Sequence, residues 1–157
     1  MGMDLSSKTG NLYYQFNIFG WRKIRNFLER LGCDVSEFSG SNDGDLVSPE
    51  TCSEIADRME SIKNDLKYLM TCPKEELPKH LSDTSIVLDY EDEDASNPFN
   101  PKLKIIESRL KGDEIPLSIL KYVDGTNKWD EWTLLAYYMG FGDFCRGCSK
   151  LGGFTQW

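Results

Sequence analysis

Long apolar runs are missing from this sequence. No stretch of about 18 consecutive apolar residues occurs, and a transmembrane helix needs roughly that many. The N-terminal region also lacks the charged-then-apolar layout of a secretory signal. These absences predict a protein that stays in the cytosol and has no membrane partner.

Groups that commonly perform catalysis are scarce. The single histidine, His80, lies in a polar stretch, where it is expected to be solvated. The carboxylates at 91–94 follow one another in a polar run, so water relieves their repulsion and nothing separates their pKa values. There is no glycine-rich phosphate-binding loop. We therefore predict no catalytic residue and no cofactor, which favours a protein that is not an enzyme.

Basic residues are outnumbered. The chain has 18 Lys and Arg against 26 Asp and Glu, a net charge of −8. Residues 31–100 carry 5 basic and 17 acidic side chains, whereas residues 1–30 carry 5 basic and 2 acidic ones. A nucleic-acid-binding protein needs a basic surface, because phosphate neutralisation provides most of its affinity. The charge therefore excludes DNA and RNA as expected partners, but it allows a local basic cluster for a small anion.

Cysteines are too few and too scattered for a disulfide framework. There are five of them, an odd number at wide spacings. Cys145 and Cys148 form a Cys-x-x-Cys motif, which is half of a zinc site or a redox pair. Because Cys33, Cys52 and Cys72 lie far away in sequence, we expect packed, reduced thiols and no metal site.

Helical periodicity dominates the sequence after residue 20. Apolar residues recur every three or four positions after Trp21 and again after Ser48, where Pro49 suits the first helical position. Gly32 and Gly112 are predicted to end helices, and the second helix should break before Pro73. The spacing predicts helices over residues 21–31, 49–70, 102–111, 116–123 and 129–144, with a short helical turn at 74–77.

These elements predict a mainly α fold. With 157 residues, 39% of them hydrophobic, the chain can bury about two-thirds of its unfolded surface. We expect a single compact domain over residues 1–157 with about five helices. At most a minor strand element is expected, near the N-terminus or at residues 85–89. Residues 33–47 are predicted to form a loop, and residues 83–101 an acidic surface loop.

Aromatic and basic residues accumulate at both ends of the chain. Arg22 and Arg25 are expected in the first turn of the first helix, where backbone N–H groups already favour an anion. Aromatic rings near guanidinium groups suit a purine and its phosphates. The alternatives are that the rings form the core and that the arginines pair with the acidic middle segment. The candidate ligand-binding residues are Trp21, Arg22, Arg25, Tyr138, Arg146, Lys150 and Trp157.

Both ends also carry a family resemblance. The start Met1-Gly2-Met3-Asp4, the segment Gly20-Trp21-Arg22 and the tail Cys145-Arg146-Gly147-Cys148 with Gly152-Gly153-Phe154 resemble a family of short, uncharacterised bacteriophage proteins. Three residues separate Cys148 from Gly152 here and depart from the family's tail. The resemblance implies a phage-encoded accessory protein in the host cytosol, a class in which counter-defence is frequent. It implies no catalytic residue.

Three hypotheses follow for the function. The first is a non-enzymatic protein that sequesters a small anionic ligand, such as a cyclic or ADP-ribose-type nucleotide. The second is an acidic inhibitor that docks on a basic surface of a host protein. The third is a nucleotide-cleaving enzyme. A homo-oligomer is compatible with all three.

Overall fold

A computed structural model describes residues 2–38, 43–82, 100–115 and 131–157. In these ranges the chain forms four α-helices, one 3-10 helix and four strands, so the fold is mainly α, as predicted. The elements are β1 Gly2–Ser7, β2 Tyr13–Asn17, α1 Ile18–Arg30, β3 Asp45–Val47, α2 Pro49–Thr71, the 3-10 helix Lys74–His80, α3 Pro101–Lys111, α4 Glu131–Cys148 and β4 Phe154–Gln156. The helix predicted at 116–123, the strand predicted at 85–89, the expected helix start near Trp129 and most of the acidic loop lie outside these ranges.

Most of the predicted helix ends are confirmed. α1 ends just before Gly32 and α3 ends just before Gly112, and each glycine has a φ of 82° that side-chain-bearing residues rarely adopt. α2 begins at Pro49 and ends before Pro73. At its start, the Ser48 hydroxyl accepts the backbone N–H of Thr51 at 3.3 Å.

Several boundaries were predicted wrongly. α1 begins at Ile18 rather than Trp21, because Asn17 caps it by accepting the Gly20 N–H at 2.6 Å. The helical turn after Pro73 extends to His80. α3 begins at Pro101, capped by Asn100, so the loop predicted to run to residue 101 ends earlier. α4 continues past Phe144 to Cys148 in spite of its glycines.

The sheet is larger than the minor strand element predicted. Its strands lie in the order β2-β1-β4-β3, and every neighbouring pair is antiparallel. Ser7 of β1 is paired with Phe154 of β4, and the same phenylalanine is paired with Val47 of β3. β3 lies at the end of the segment predicted to be a loop. Three-residue strands that pair across most of the chain leave too little local pattern to predict them from periodicity.

The described chain divides into two compact units. The first comprises Met1–Glu60 and Gly140–Trp157, and the second comprises Ser61–Met139. The expectation of a single globular domain stays a prediction. None of the described helices is long and apolar enough to cross a bilayer.

The first unit has an aromatic core between its sheet and its helices. The Phe16 ring on β2 lies 5.2 Å from the Phe141 ring on α4, and Trp21 is stacked on Phe38 at 4.9 Å with an interplanar angle of 10°. Phe141 also meets Phe154 of β4 edge-on at 6.1 Å. Edge-to-face and offset stacking at these distances add to the stabilisation that ring burial provides. Many of the accumulated rings are therefore structural.

The second unit is held together at the C-terminal end of α2. The Arg109 guanidinium on α3 donates to the Leu69 carbonyl at 2.8 Å, which satisfies a carbonyl in the last turn of the helix. Lys102 and Asp65 form an ion pair at 3.2 Å. Leu77 of the 3-10 helix and Ile105 of α3 are buried.

Candidate functional site

The sheet in the first unit has one buried face and one exposed face. On β1, the side chains of Met3, Leu5 and Ser7 are buried and alternate with more exposed ones. The strand register extends this alternation across the sheet. The exposed side, called the outer sheet face below, is formed by Asp4, Ser6, Tyr13, Gln15, Leu46, Thr155 and Trp157.

Three large side chains on the outer sheet face are accessible to solvent. Tyr13 is 57% exposed, Trp157 52% and Leu46 40%. They come from β2, from β3 and from the residue that follows β4, and Ser6 and Thr155 lie between Tyr13 and Leu46. Several large accessible side chains on one face are typical of an interaction surface, whereas single exposed apolar residues are common and carry no such meaning.

A carboxylate, that of Asp4, accompanies these side chains. The Tyr13 hydroxyl donates a hydrogen bond to the Asp4 carboxylate. This bond and the nearby negative charge raise the pKa of the Tyr13 phenol above its usual value. Asp45 is exposed on the edge strand β3, but its pairing with the buried Gln156 places it on the opposite side of the sheet. The outer sheet face therefore combines apolar surface with negative charge.

Trp157 is the one predicted ligand-binding residue on this face. Its backbone N–H donates to the Asp4 carbonyl at 2.8 Å, and its carbonyl accepts the Asp4 N–H at 3.0 Å. Its indole N–H donates to the Thr155 hydroxyl at 2.8 Å. The side chain therefore extends the outer sheet face beyond the last residue of β4.

Two of the predicted aromatic ligands are buried. Trp21 is 3% exposed and is stacked on Phe38, so its ring belongs to the aromatic core. Tyr138 is 1% exposed and lies in the second unit. A ring buried by its own protein offers no face for stacking on a ligand, and this placement favours the alternative that the rings are structural.

The two predicted arginines on α1 are exposed, although not where they were expected. Because α1 begins at Ile18, Arg22 lies in its second turn and Arg25 beyond it, so the expectation that both lie in the first turn is wrong. Within the described part of the chain, neither guanidinium forms an ion pair. The alternative was that these arginines pair with the acidic middle segment. In the described part of that segment, residues 31–38 and 43–82, no such ion pair is seen.

The remaining basic candidates lie near the end of α4. One nitrogen of Arg146 contacts the carboxylates of Asp57 and Glu60 on α2, the latter at 3.1 Å. The hydrogen bond to Asp57 raises the pKa of the Arg146 guanidinium. These two carboxylates belong to the acidic middle segment, and they reduce the positive electrostatic potential that Arg146 could offer an anionic ligand. Lys150 is exposed in the turn that follows α4.

The fold brings together four cysteines that the sequence keeps apart. Burial raises the pKa of the Cys145 thiol well above its usual value, and the neighbouring Cys52, Cys148 and Cys33 raise it further. All five cysteines are free and buried. Burial raises the pKa of Cys33 to about 11 and that of Cys148 to about 12. The burial agrees with the prediction of packed thiols, and the fold brings Cys33 and Cys52, which are distant in sequence, near the Cys-x-x-Cys motif.

The described residues hold no group of three or more His, Cys, Asp or Glu side chains arranged to bind a metal ion. His80, which was expected to be solvated, is half-buried, and its ring meets Tyr68 edge-on at 5.7 Å. Its expected lack of a catalytic role stays a prediction.

Asp4, Tyr13 and Leu46 are not among the residues predicted from the sequence. A signal for the first was present, because residues 3–6 alternate between apolar and polar side chains in the way a half-buried strand does. Leu46 carries no such signal, since β3 has only three residues.

Comparison of the chain with family models, with curated proteins and with solved structures gives no significant match.

Proposed function

We propose that this chain is a non-enzymatic binding protein that docks on a partner protein through the outer sheet face. The observation that carries the proposal is the set of three accessible apolar side chains, Tyr13, Leu46 and Trp157, spread over one side of a sheet whose other side is packed. Exposed aromatic side chains of this kind are enriched at protein–protein interfaces.

The charge supports a basic partner surface. Asp4 lies on the outer sheet face, and the chain as a whole carries a net charge of −8. Opposite charges on two proteins speed their association, whereas like charges disfavour it. A second copy of this chain would bring acidic groups against acidic groups, so we expect a different protein as the partner. The resemblance to phage proteins fits an inhibitor that acts in the host cytosol.

Site-directed photo-cross-linking tests this proposal. A benzophenone amino acid replaces Tyr13 or Leu46, and as a control it replaces Tyr68. Tyr68 is a matched position, because it is 48% exposed in the other unit and its hydroxyl also donates to a carboxylate, that of Glu76. We expect positions 13 and 46 to give the same protein adduct and position 68 to give none.

Binding of the purified partner completes the test. After its identification by mass spectrometry, its affinity is measured with the wild-type chain and with Tyr13→Ser and Tyr68→Ser. We expect Tyr13→Ser to weaken binding at least about tenfold, as interface aromatic residues commonly do, and Tyr68→Ser to leave it unchanged. Equal adducts at all three positions, or equal losses in the two variants, would refute docking through this face.

A second candidate is capture of a small anion by α1. Its support is that Arg22 and Arg25 are exposed and that no described residue forms an ion pair with either of them. The experiment incubates the protein with ADP-ribose and with cyclic dinucleotides and then releases them by heating. Recovery of intact nucleotide supports capture, altered nucleotide supports the enzymatic hypothesis, and absence of binding contradicts both.

A further inference from the structure

Trp157 is held in place while about half of the residue remains exposed to solvent. A Cβ atom added to Gly44 would lie 2.9 Å from Cη2 and Cζ3 of the indole, which shows that the ring packs directly on the glycine backbone. The bond from its indole N–H to Thr155 fixes the ring edge. Because the side chain is still 52% exposed, the structure presents a pre-oriented aromatic surface to solvent.

Asp4 places a carboxylate beside this ring. Asp4 and Trp157 exchange both backbone hydrogen bonds, so they are directly opposite each other on neighbouring strands, and their side chains leave the sheet on the same face. The Asp4 Oδ1 atom accepts the Tyr13 hydroxyl, which orients the carboxylate. Within the part of the chain that the structure describes, no hydrogen bond reaches the other oxygen, Oδ2, so it can accept one from a ligand.

We propose that this corner of the outer sheet face binds an arginine side chain of the partner, with its guanidinium stacked on Trp157 and an N–H donated to Asp4. The inference rests on the proposed function and names the chemistry that the partner must present. Arginine fits both elements because its planar cation stacks on aromatic faces and also donates along its edge to carboxylates. A phosphate-bearing ligand would be repelled by Asp4.

The test uses a defined probe, the peptide acetyl-Gly-Arg-Gly-Arg-Gly-amide. A second peptide has citrulline at both arginine positions, which keeps the shape of the side chain and removes its charge. Binding is followed by the ¹H–¹⁵N signal of the Trp157 indole, which is identified as the signal missing from Trp157→Phe. We expect the arginine peptide to shift this signal in a saturable way and the citrulline peptide to leave it in place.

Charge-matched variants separate a local site from a general acidic surface. Asp4→Asn should weaken binding of the arginine peptide about tenfold or more, consistent with loss of a charge-assisted hydrogen bond. Asp143→Asn removes the same charge from an exposed position on α4 and should have no comparable effect. The amide spectrum of each variant confirms that it is folded.

Two results would overturn the inference: an equal shift of the Trp157 signal by the citrulline peptide, or equal weakening by Asp4→Asn and Asp143→Asn. Neither result affects protein cross-linking at positions 13 and 46, so the proposed function would survive. Conversely, saturable arginine binding without any protein adduct would remove the proposed function and leave the arginine site in place.

Discussion

At the scale of single residues, Glu37 links the loop after α1 to the start of α2. Its carboxylate accepts hydrogen bonds from the Ser48 N–H at 2.7 Å, from the Ser48 hydroxyl at 2.8 Å and from the Thr51 hydroxyl. Burial raises the pKa of Glu37, but these bonds lower it by more, so that the net pKa lies below the usual value. The ionised form is therefore the one that stabilises the fold.

Glu37→Gln should reveal this contribution through its pH dependence. A carboxyl whose pKa is lowered by folding stabilises the folded state above its unfolded pKa of about 4.3, and this stabilisation is lost as the pH falls through the folded pKa. We expect the variant to lose about 1 kcal/mol of unfolding free energy at pH 7, and the difference to shrink towards about pH 3. Urea unfolding of the wild-type protein and the variant at pH 7 and at about pH 3 measures this difference in unfolding free energy.

Glu29→Gln, an exposed position on α1, is the control and should show little change at either pH. A difference for Glu37→Gln that is as large in acid as at pH 7 would mean that the carboxylate charge is not responsible.

Arg22 and Arg25 distinguish a ligand site from a structural role. If α1 captures an anion, replacing both by Gln should weaken ADP-ribose binding by several kcal/mol, since each charged hydrogen bond contributes about 1.5–3 kcal/mol. The melting temperature should barely change, because both side chains are exposed and no described residue forms an ion pair with them. Calorimetry measures the affinity for ADP-ribose, and thermal denaturation measures the melting temperature.

A double variant that melts much lower and still binds would assign the arginines to the fold instead.

The residue scale is also where prediction from sequence was weakest for the site. Trp21 and Trp157 are the same residue type near opposite chain ends, yet one is 3% exposed and the other 52%. The difference depends on which face of a helix or sheet each side chain leaves, and for Trp157 this follows from pairing with Asp4. Such pairing joins residues far apart in sequence, so composition and local spacing could not predict it.

At the scale of elements, α4 shows why glycines are tolerated in a helix. A Cβ atom at Gly142 would lie 2.6 Å from the Met59 Cβ on α2, whereas one at Gly147 would meet the side chain of Leu12, whose Cδ1 atom would lie at 2.4 Å. The first neighbour is fixed close to its backbone. The second is the end of a flexible side chain that is 39% exposed. Glycine at these two positions therefore allows close packing against α4.

Alanine substitutions at these two glycines should have opposite effects. Alanine is favoured over glycine inside a helix by about 1 kcal/mol, which both variants gain. Gly142→Ala must also displace Met59, and overpacking of this kind costs about 1–3 kcal/mol, so we expect a lower melting temperature. Gly147→Ala only moves Leu12 and should be neutral or stabilising. Thermal denaturation followed by circular dichroism compares them, and an equal change in both would contradict the packing argument.

The elements differ in how far the sequence predicts them. α2 and α3 follow from local spacing and from their capping residues, because helical hydrogen bonds join residues close in sequence. The sheet depends on β1 pairing with β4 at the other end of the chain. Local patterns carry little information about pairing over such a separation, and the candidate surface was missed together with the sheet that forms it.

At the scale of the whole molecule, the reaction rate of the five cysteine thiols shows whether these side chains are buried in solution. All are buried and free, and burial raises the pKa of Cys33 to about 11 and that of Cys148 to about 12. The thiolate is the reactive form, very little of it exists at Cys33 and Cys148 near neutral pH, and burial shields all five sulfur atoms from the reagent. Native protein should therefore react with Ellman's reagent at least about 100-fold more slowly than an exposed cysteine, and five thiols per chain should react at once in guanidinium chloride.

Four of these cysteines lie near one another, and they allow a test for a bound metal ion. Because the described residues include no group arranged as metal ligands, we expect elemental analysis of purified protein to find no stoichiometric zinc and a chelator to leave the melting temperature unchanged. A structural zinc site would behave in the opposite way, since metal binding adds directly to the free energy of folding. About one zinc per chain, together with thiols that become reactive when EDTA is added, would show that Cys33, Cys52, Cys145 and Cys148 close around a metal in solution.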